Sequence, residues 1–206
     1  MIQRIYPSVM AKNQQELNQL LKKLSGVAKF LHLDIADGKF VPSKSLWFQF
    51  RLSKKFKYGA HLMIKNPIPW IKKFGNKVDV IIFHPEPVKN IPAVIRLIKS
   101  KKKKIGLALK PETKVATIKE HFSEIDYVLI LTVHPGFYGA RFLKSPLKKI
   151  KQVKKLNPKI KVVVDGGMNP QTIKKAKDAD LFISGSYVTK SENPKERIKV
   201  LKNLIS

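Results

Sequence analysis

Four residues at the ends of predicted strands have side chains that bind metals or move protons. His32 and Asp34 lie two apart in FLHLDIADG, so on a strand both side chains point to the same face. His61 ends the strand in YGAHLMI, and Asp165 ends the strand in KVVVDGG. Two imidazoles and two carboxylates suit one divalent ion such as zinc, iron, manganese or cobalt, and ligand type does not choose among these metals. Each residue taken singly could instead cap a loop or bond the backbone.

Three turns that contain glycine indicate a second kind of site. HPGFYGARF, DGGM and SGSY follow the sixth, seventh and eighth predicted strands. Glycine lets backbone N–H groups approach an anion closely, and a helix that begins after the turn adds a favourable dipole. Any one of them could be only a tight turn. Because barrel enzymes often hold a phosphate group in these late loops, the three together predict a phosphate site.

Strand and helix patterns alternate along the whole chain, as in parallel α/β proteins. Strands are predicted near residues 3 to 9, 29 to 34, 57 to 62, 78 to 83, 104 to 109, 126 to 132, 160 to 165 and 180 to 184. The helical patterns, with apolar residues three and four apart, are QQELNQLLKKL, PAVIRLIKS, SPLKKIKQVKKL and NPQTIKKAK.

This alternation predicts a single (β/α)8 TIM barrel over residues 1–206. A doubly wound open sheet is the competing fold, but no GxGxxG turn follows the first strand. Between Pro42 and His61 the chain leaves room for only a short helix. In such a barrel the catalytic groups belong at the carboxyl ends of the strands, where the four polar residues are predicted to lie.

The formal net charge of +28 comes almost wholly from lysine. Specific nucleic-acid surfaces usually concentrate arginine and aromatic residues on one face, whereas these lysines are spread through every helical segment. We therefore expect no specific nucleic-acid partner, and the charge is better suited to attracting anionic sugar phosphates.

The absence of cysteine narrows the chemistry, because disulfides, thiolate nucleophiles and cysteine-ligated metals are all excluded. The amino terminus MIQRIYPSVMA alternates like a strand and has no signal-peptide pattern. No long apolar run is present. We expect a cytoplasmic protein that does not associate with membranes.

Eight sequence blocks resemble the ribulose-phosphate 3-epimerase family in content, order and spacing over nearly the whole chain. These blocks are PSVMA, LHLDIADGKFVPS, HLMIKNP, FHPE, LALKPET, VLILTVHPGFYG, VVVDGGMNPQT and ISGSYV. The resemblance implies a barrel of the ribulose-phosphate-binding type. It also implies an isomerase that interconverts D-ribulose 5-phosphate and D-xylulose 5-phosphate in the pentose phosphate pathway, by metal-assisted two-base proton transfer at C3 through an enediolate.

The resemblance further implies a role for individual residues. His32, Asp34, His61 and Asp165 would bind one divalent metal ion per chain, and Asp34 and Asp165 would also be the catalytic proton acceptor and donor. The substrate, a small-molecule ketose phosphate, would be contacted by Ser8, His61, Gly136, Phe137, Tyr138, Gly139, Asp165, Gly166, Gly167, Gly185 and Ser186. We also expect a homo-oligomer.

Departures from the family pattern leave the substrate open. Ala36 and Leu131 stand where the family usually has methionine, and Met63 is the one that remains of the methionines around the reaction centre. D-allulose 6-phosphate, the substrate of a sister class, therefore stays an alternative. A noncatalytic, lysine-rich binding protein on the same barrel is the alternative from a different class, and epimerase activity would separate it from an enzyme.

Five further polar residues are expected to have supporting roles. His84 in FHPE should contact the site or pack beside it, and Asp37 should shape the turn before Gly38. His134 should position its loop, and His121 should lie on a helix surface. Lys110, at the end of a predicted strand, could approach the cavity.

Overall fold

The computed structural model describes residues 4–136 and 140–205, and within these ranges eight parallel strands close into a barrel. The strands are β1 Ile5–Val9, β2 Phe30–Asp37, β4 Lys57–Met63, β5 Val80–Phe83, β6 Lys104–Leu109, β7 Tyr127–Leu131, β8 Lys161–Asp165 and β9 Leu181–Ser184. Each strand pairs with the next along the chain, and β1 pairs with both β2 and β9 to close the ring. The predicted TIM barrel and the positions of its strands are confirmed.

The helices of the described ranges pack around the barrel. They are α1 Gln14–Leu24, α2 Pro67–Phe74, α3 Ile91–Ser100, α4 Lys148–Leu156, α5 Pro170–Ile173, α6 Ser186–Thr189 and α7 Pro194–Asn203. An asparagine side chain accepts a backbone N–H at the start of α1, α2, α3, α5 and α7, and all of these except α1 have proline in the first turn. An asparagine shortly before a proline therefore marks the start of α2, α3, α5 and α7.

Two predicted helical stretches are partly 3-10 helix. SPLKKIKQVKKL begins with the 3-10 turn Ser145–Leu147 before α4, and NPQTIKKAK divides into α5 and the 3-10 turn Lys174–Ala176. The connection between β6 and β7 is a 3-10 helix, Val115–His121. The alternation of strand and helical connection is kept in all three places.

The segment between Pro42 and His61 differs from the expectation of a short helix. It contains β3, Lys44–Ser45, which pairs antiparallel with the end of β2, and then an irregular stretch before β4. After β3 the burial alternates at a period of two. The buried or partly buried residues are Leu46, Phe48, Phe50 and Leu52, and the exposed residues between them are Trp47, Gln49 and Arg51. A period of two suits an extended chain, which explains why no helix forms here.

The strands divide their side chains between two layers. On β2, Leu31, Leu33 and Ile35 are buried against the helices, and His32 and Asp34 alternate with them. Apolar side chains fill the lower interior of the barrel: Val80, Ile82, Ala108, Leu129, Leu131, Val163, Leu181 and Ile183. The polar residues of the site therefore lie above a packed interior. Within the described ranges, no helix is both long and apolar enough to cross a membrane.

Candidate active site

Strand register brings the four predicted ligands to one place at the mouth of the barrel. Asp34 on β2 lies opposite His61 on β4, and His32 lies opposite Ser8 on β1. Asp165 is the last residue of β8, and it reaches the same place because the barrel is closed. Two neighbouring strands and one from across the barrel thus supply the cluster.

The side-chain atoms of this cluster are close together. His61 Nδ1 lies 3.2 Å from Asp34 Oδ1 and 3.7 Å from Asp165 Oδ2. His32 Nε2 lies 3.4 Å from Asp34 Oδ1 and 3.8 Å from Asp165 Oδ2. One ligand atom from each of the four residues falls within 4.8 Å of all the others. Each nitrogen is therefore flanked by an oxygen from both carboxylates.

This arrangement fits a divalent metal ion. Ligands that bind zinc at about 2.1 Å lie about 3.4 Å apart at the corners of a tetrahedron, close to the nitrogen–oxygen distances in the cluster. His32 Nε2 is buried and has no hydrogen-bond partner within the described ranges, as expected of a nitrogen whose partner is a metal. Nitrogen and carboxylate donors are also the types that zinc, iron, manganese and cobalt accept.

The two carboxylates of the cluster have opposite pKa shifts. Burial alone would raise the pKa of Asp34, but the neighbouring imidazoles of His32 and His61 hold it well below its usual range. Burial raises the pKa of Asp165 to about 6, and the charge of Asp34 adds to this. Burial would lower the pKa of His32, yet Asp34 and Asp165 raise it. One carboxylate therefore ionises readily, while the other holds its proton more tightly.

A cavity of about 280 Å³ opens directly above the cluster. Its lining includes Asp34, His61 and Asp165, and it extends toward the loops that follow β7, β8 and β9. Of the predicted substrate-binding residues, the lining contains Ser8, His61, Gly136, Asp165, Gly166, Gly167, Gly185 and Ser186. Phe137, Tyr138 and Gly139 lie outside the described residues. The cavity thus joins the candidate metal site to the glycine-bearing turns.

The glycines of these turns have backbone conformations that other residues rarely adopt. Gly136, Gly166 and Gly167 have φ values of 121°, 110° and 65°. A Cβ at Gly166 would lie 2.6 Å from Val133 Cγ2, so this position also lacks room for a side chain. Thr132 donates its hydroxyl to the backbone oxygens of Asp165 and Gly166, at 2.9 and 2.7 Å. The conformation of the turn after β8 is therefore fixed by its glycines and by the hydrogen bonds from Thr132.

Comparison with known proteins identifies the family. Residues 4–189 match the family model of the ribulose-phosphate 3 epimerase family. The chain belongs to this family. Ribulose-phosphate 3-epimerase from Bacillus subtilis is 31% identical over 97% of this chain and 98% of its own length. The Helicobacter pylori (strain 26695) enzyme of the same name is 32% identical, over 98% of this chain and 97% of its own length. The protein is accordingly an isomerase of the epimerase type.

Solved structures agree in fold alone. 3-Hexulose-6-phosphate synthase from Salmonella typhimurium superposes with a TM-score of 0.69 at 13% identity, covering 98% of each chain. That enzyme has a different name and a different activity, so the barrel does not by itself determine the reaction. The epimerase family assignment rests on the sequence, and the fold is consistent with it.

The supporting residues of this epimerase lie partly where they were expected. Asp37 accepts hydrogen bonds from the backbone N–H groups of Lys39, Phe40 and Lys65, so its role in the turn is confirmed. His84 contacts His61, with 2.9 Å between the two Nε2 atoms. Burial lowers the pKa of His84 to about 4. This imidazole therefore belongs to the surroundings of the cluster.

The prediction that His121 lies on a helix surface is wrong. The residue is 6% exposed and ends a 3-10 helix in which Val115, Ile118 and His121 are buried. Residues three apart share one face of a 3-10 helix, whereas the α-helical period would have placed His121 elsewhere. His134 is exposed, and its Nδ1 lies 3.2 Å from Glu112 Oε1.

The structure also adds residues that the sequence did not indicate. Ser43 lines the cavity, and its buried hydroxyl has no hydrogen-bond partner in the described part of the chain. Met10 and Met168 line the cavity together with Met63, so polarisable sulfur is present despite the changes elsewhere. Leu131 is part of the same lining. Met10 and Met168 are distant in sequence from each other, and the closed barrel brings them together.

Proposed function

We propose that this epimerase interconverts D-ribulose 5-phosphate and D-xylulose 5-phosphate, with Asp34 and Asp165 as its two proton-transfer groups. The observation that carries the proposal is that a buried carboxylate, Asp34, and a partly buried one, Asp165, have opposite pKa shifts and line one cavity beside a candidate metal site. A pair of acid–base groups with separated pKa values is suited to give one proton and take another. The names of the two curated relatives support the choice of substrate.

The proposed reaction inverts C3 of a 2-ketose. The hydrogen on C3 is acidic because it lies beside the C2 carbonyl, so a carboxylate on one face of the substrate removes it as a proton. The carboxylic acid on the opposite face then returns a proton to C3, and the reverse reaction exchanges the two roles. Asp34 and Asp165 come from β2 and β8, on different sides of the barrel mouth. Asp34, whose pKa is lowered, is the carboxylate that is ionised and can accept a proton, and Asp165, whose pKa is raised, more readily carries the proton to be donated.

A divalent ion held by His32, Asp34, His61 and Asp165 would supply a Lewis acid that compensates the negative charge of the enediolate. The chain's own residues bind and orient the sugar around this centre. Ser8 and His61 both line the cavity, and we propose that Ser8 contacts the carbon chain of the sugar. The low exposure of His32 and His61 keeps water from the cluster, which strengthens electrostatic interactions there.

The phosphate is proposed to bind the backbone of the late loops. Gly136, Gly166, Gly167, Gly185 and Ser186 line the far end of the cavity, and Phe137, Tyr138 and Gly139 complete the proposed set. Backbone N–H groups at glycine turns can point at an anion without a side chain in the way. With the net charge of +28, the protein also attracts anionic substrates from a distance, and we propose no specific nucleic-acid partner.

The test is turnover of ribulose 5-phosphate in deuterated water. The wild type should form xylulose 5-phosphate and incorporate deuterium at C3, because the proton taken up by a carboxylate can exchange with solvent. Asp34→Asn and Asp165→Asn keep the shape of the side chain but remove the base. Each should slow epimerisation by more than about a hundredfold, the scale of general acid–base catalysis.

Metal content must be measured in the same samples, since each aspartate is also a proposed ligand. A metal-loaded Asp165→Asn protein that epimerises near the wild-type rate would contradict the two-base assignment. If the wild type acts on allulose 6-phosphate and not on ribulose 5-phosphate, the proposed substrate is wrong but the proposed two-base mechanism still holds. A wild type that is inactive on every ketose phosphate would favour the noncatalytic alternative.

A further inference from the structure

A chain of hydrogen bonds leads from the cluster to His84 and Glu86, neither of which is among the residues that line the cavity. His61 Nε2 lies 2.9 Å from His84 Nε2, and His84 Nδ1 lies 3.1 Å from Glu86 Oε2. His61 and His84 are 0% and 1% exposed, so water does not compete with these contacts. The members follow successive strands: His61 is on β4, and His84 and Glu86 come directly after β5.

Glu86 determines the direction of the hydrogen bonds that run from His61 through His84. Its Oε1 accepts hydrogen bonds from the backbone N–H of Lys110, at 3.1 Å, and from the Thr113 hydroxyl. These bonds and the bond with His84 outweigh the effect of burial, which would raise the pKa of Glu86, and lower the pKa to about 2. An ionised carboxylate only accepts hydrogen bonds, so Nδ1 of His84 must carry a proton and donate it to Glu86.

The proton on His84 decides the tautomer of His61. A neutral His84 with its proton on Nδ1 has a lone pair on Nε2, which can only accept. His61 must then donate from Nε2, which leaves the lone pair of its Nδ1 directed at the cluster, 3.2 Å from Asp34 Oδ1. A nitrogen lone pair and a carboxylate oxygen repel each other unless a cation lies between them. A metal ion bound by both groups would supply that cation.

We propose that Glu86 and His84 are positioning residues that hold His61 in the tautomer whose Nδ1 binds the metal. The inference rests on the metal site of the proposed function and adds to it the residues that orient one ligand. Histidine ligands generally donate their second ring N–H to a carboxylate or carbonyl, which fixes the ring and its tautomer. In this protein the imidazole of His84 lies between the ligand His61 and the carboxylate of Glu86.

The variant Glu86→Gln should reverse the donor and acceptor roles in this series of hydrogen bonds while keeping the shape of the side chain. The backbone N–H of Lys110 cannot become an acceptor, so the oxygen of the new amide stays on that side and its NH₂ faces His84 Nδ1. His84 must then accept at Nδ1 and donate from Nε2 to His61, which moves the proton of His61 to Nδ1. We expect zinc affinity, measured by competition with a chelator, to fall about 10–100-fold.

Glu112→Gln is the matched control. Glu112 and His134 form a carboxylate–imidazole pair of similar length, 3.2 Å, but both side chains are exposed and the pair does not lead to the cluster. Zinc affinity should be unchanged in this variant. Thermal unfolding of the metal-free proteins identifies any variant that fails to fold. An equal loss of affinity in both variants, or affinity within about twofold of wild type in folded Glu86→Gln, would overturn the proposal.

Histidine spectra test the tautomer without activity or substrate. In ¹⁵N-labelled, zinc-loaded wild type, a scalar coupling between the Nε2 atoms of His61 and His84 and a proton on His61 Nε2 are expected. In the metal-free Glu86→Gln protein, that proton should lie on His84 Nε2 instead. A wild-type protein whose His61 carries its proton on Nδ1 would overturn the positioning role, whatever the protein's substrate. If wild type binds no zinc, the proposed metal site fails, and the same spectra of metal-free protein still decide the tautomer.

Discussion

The two ends of the cavity are built in different ways. The metal end consists of side chains fixed on strands: His32 and Asp34 on β2, and His61 on β4. The other end, called the phosphate end because we propose that phosphate binds there, is formed by the loops after β7, β8 and β9, where Gly136 and Gly166 have positive φ. Side chains on strands supply donors whose chemistry can be tuned, whereas glycine turns supply space and N–H groups. Substitutions at the metal end should therefore lower metal affinity, whereas substitutions at the phosphate end should weaken binding of the sugar phosphate.

The largest expected effect is at the metal end, in His61→Ala. Losing a ligand should lower metal affinity by more than the roughly 10–100-fold caused by losing an outer partner, and epimerase activity should fall with it. Elemental analysis of the purified proteins measures this, with exposed His134→Ala as the control for metal content. Metal content that stays at the wild-type level in His61→Ala would rule out this ligand set.

A smaller effect, of another kind, is expected at the phosphate end. Alanine at Gly166 would require an unfavourable φ of 110° and would bring Cβ to 2.6 Å from Val133 Cγ2, so the turn must shift. We expect KM for the sugar phosphate and the inhibition constant of inorganic phosphate to rise by about tenfold or more, as strain of about 1–3 kcal/mol implies. Metal affinity should change little.

Gly26→Ala is the control for the strain itself. Gly26 also has positive φ, 75°, but no atom of the described residues lies within 4 Å of the added Cβ, and the residue is remote from the cavity lining. This variant should lose some stability and keep its KM. Equal KM values in Gly166→Ala and Gly26→Ala would show that the loop after β8 does not hold the phosphate.

The smallest effect concerns stability without metal. The raised pKa of Asp165, about 6 against an ordinary value of 3.8, means that the folded protein favours the protonated form. Its contribution to stability is complete below pH 3.8 and is lost as the pH rises through about 6. Asp165→Asn cannot ionise. Above pH 6, the metal-free variant should therefore be more stable than metal-free wild type, by on the order of 1–3 kcal/mol.

Urea unfolding of chelator-treated proteins between pH 4 and 8 measures this difference. The advantage of Asp165→Asn should shrink toward acidic pH, where both side chains are uncharged. Asp34 has the opposite shift, so its contribution to stability is present above its ordinary pKa of 3.8 and is lost only at more acidic pH, in both proteins. A variant less stable than wild type at pH 8 would mean that the metal-free site does not destabilise the fold.

Local patterns in the sequence determined much of this protein. The alternation of strands and helices predicted the barrel, because strand and helix periods are local properties that tertiary contacts preserve. The two-residue spacing of His32 and Asp34 placed them on one face of β2, and the position of Asp165 at a strand end placed it at the mouth. The roles of the phosphate turns and of the two bases came from resemblance to the family, and they stay predictions.

Only the tertiary structure decided which distant groups meet. The burial of His121 depends on a 3-10 helix whose three-residue period the sequence pattern did not reveal. The link from His61 through His84 to Glu86 requires β4 and β5 to lie in register, and the direction of its hydrogen bonds depends on the backbone of Lys110 after β6. Residue types fix which chemistry is possible, but distances and burial decide which of those groups share a proton or a metal, since both depend on how the barrel closes.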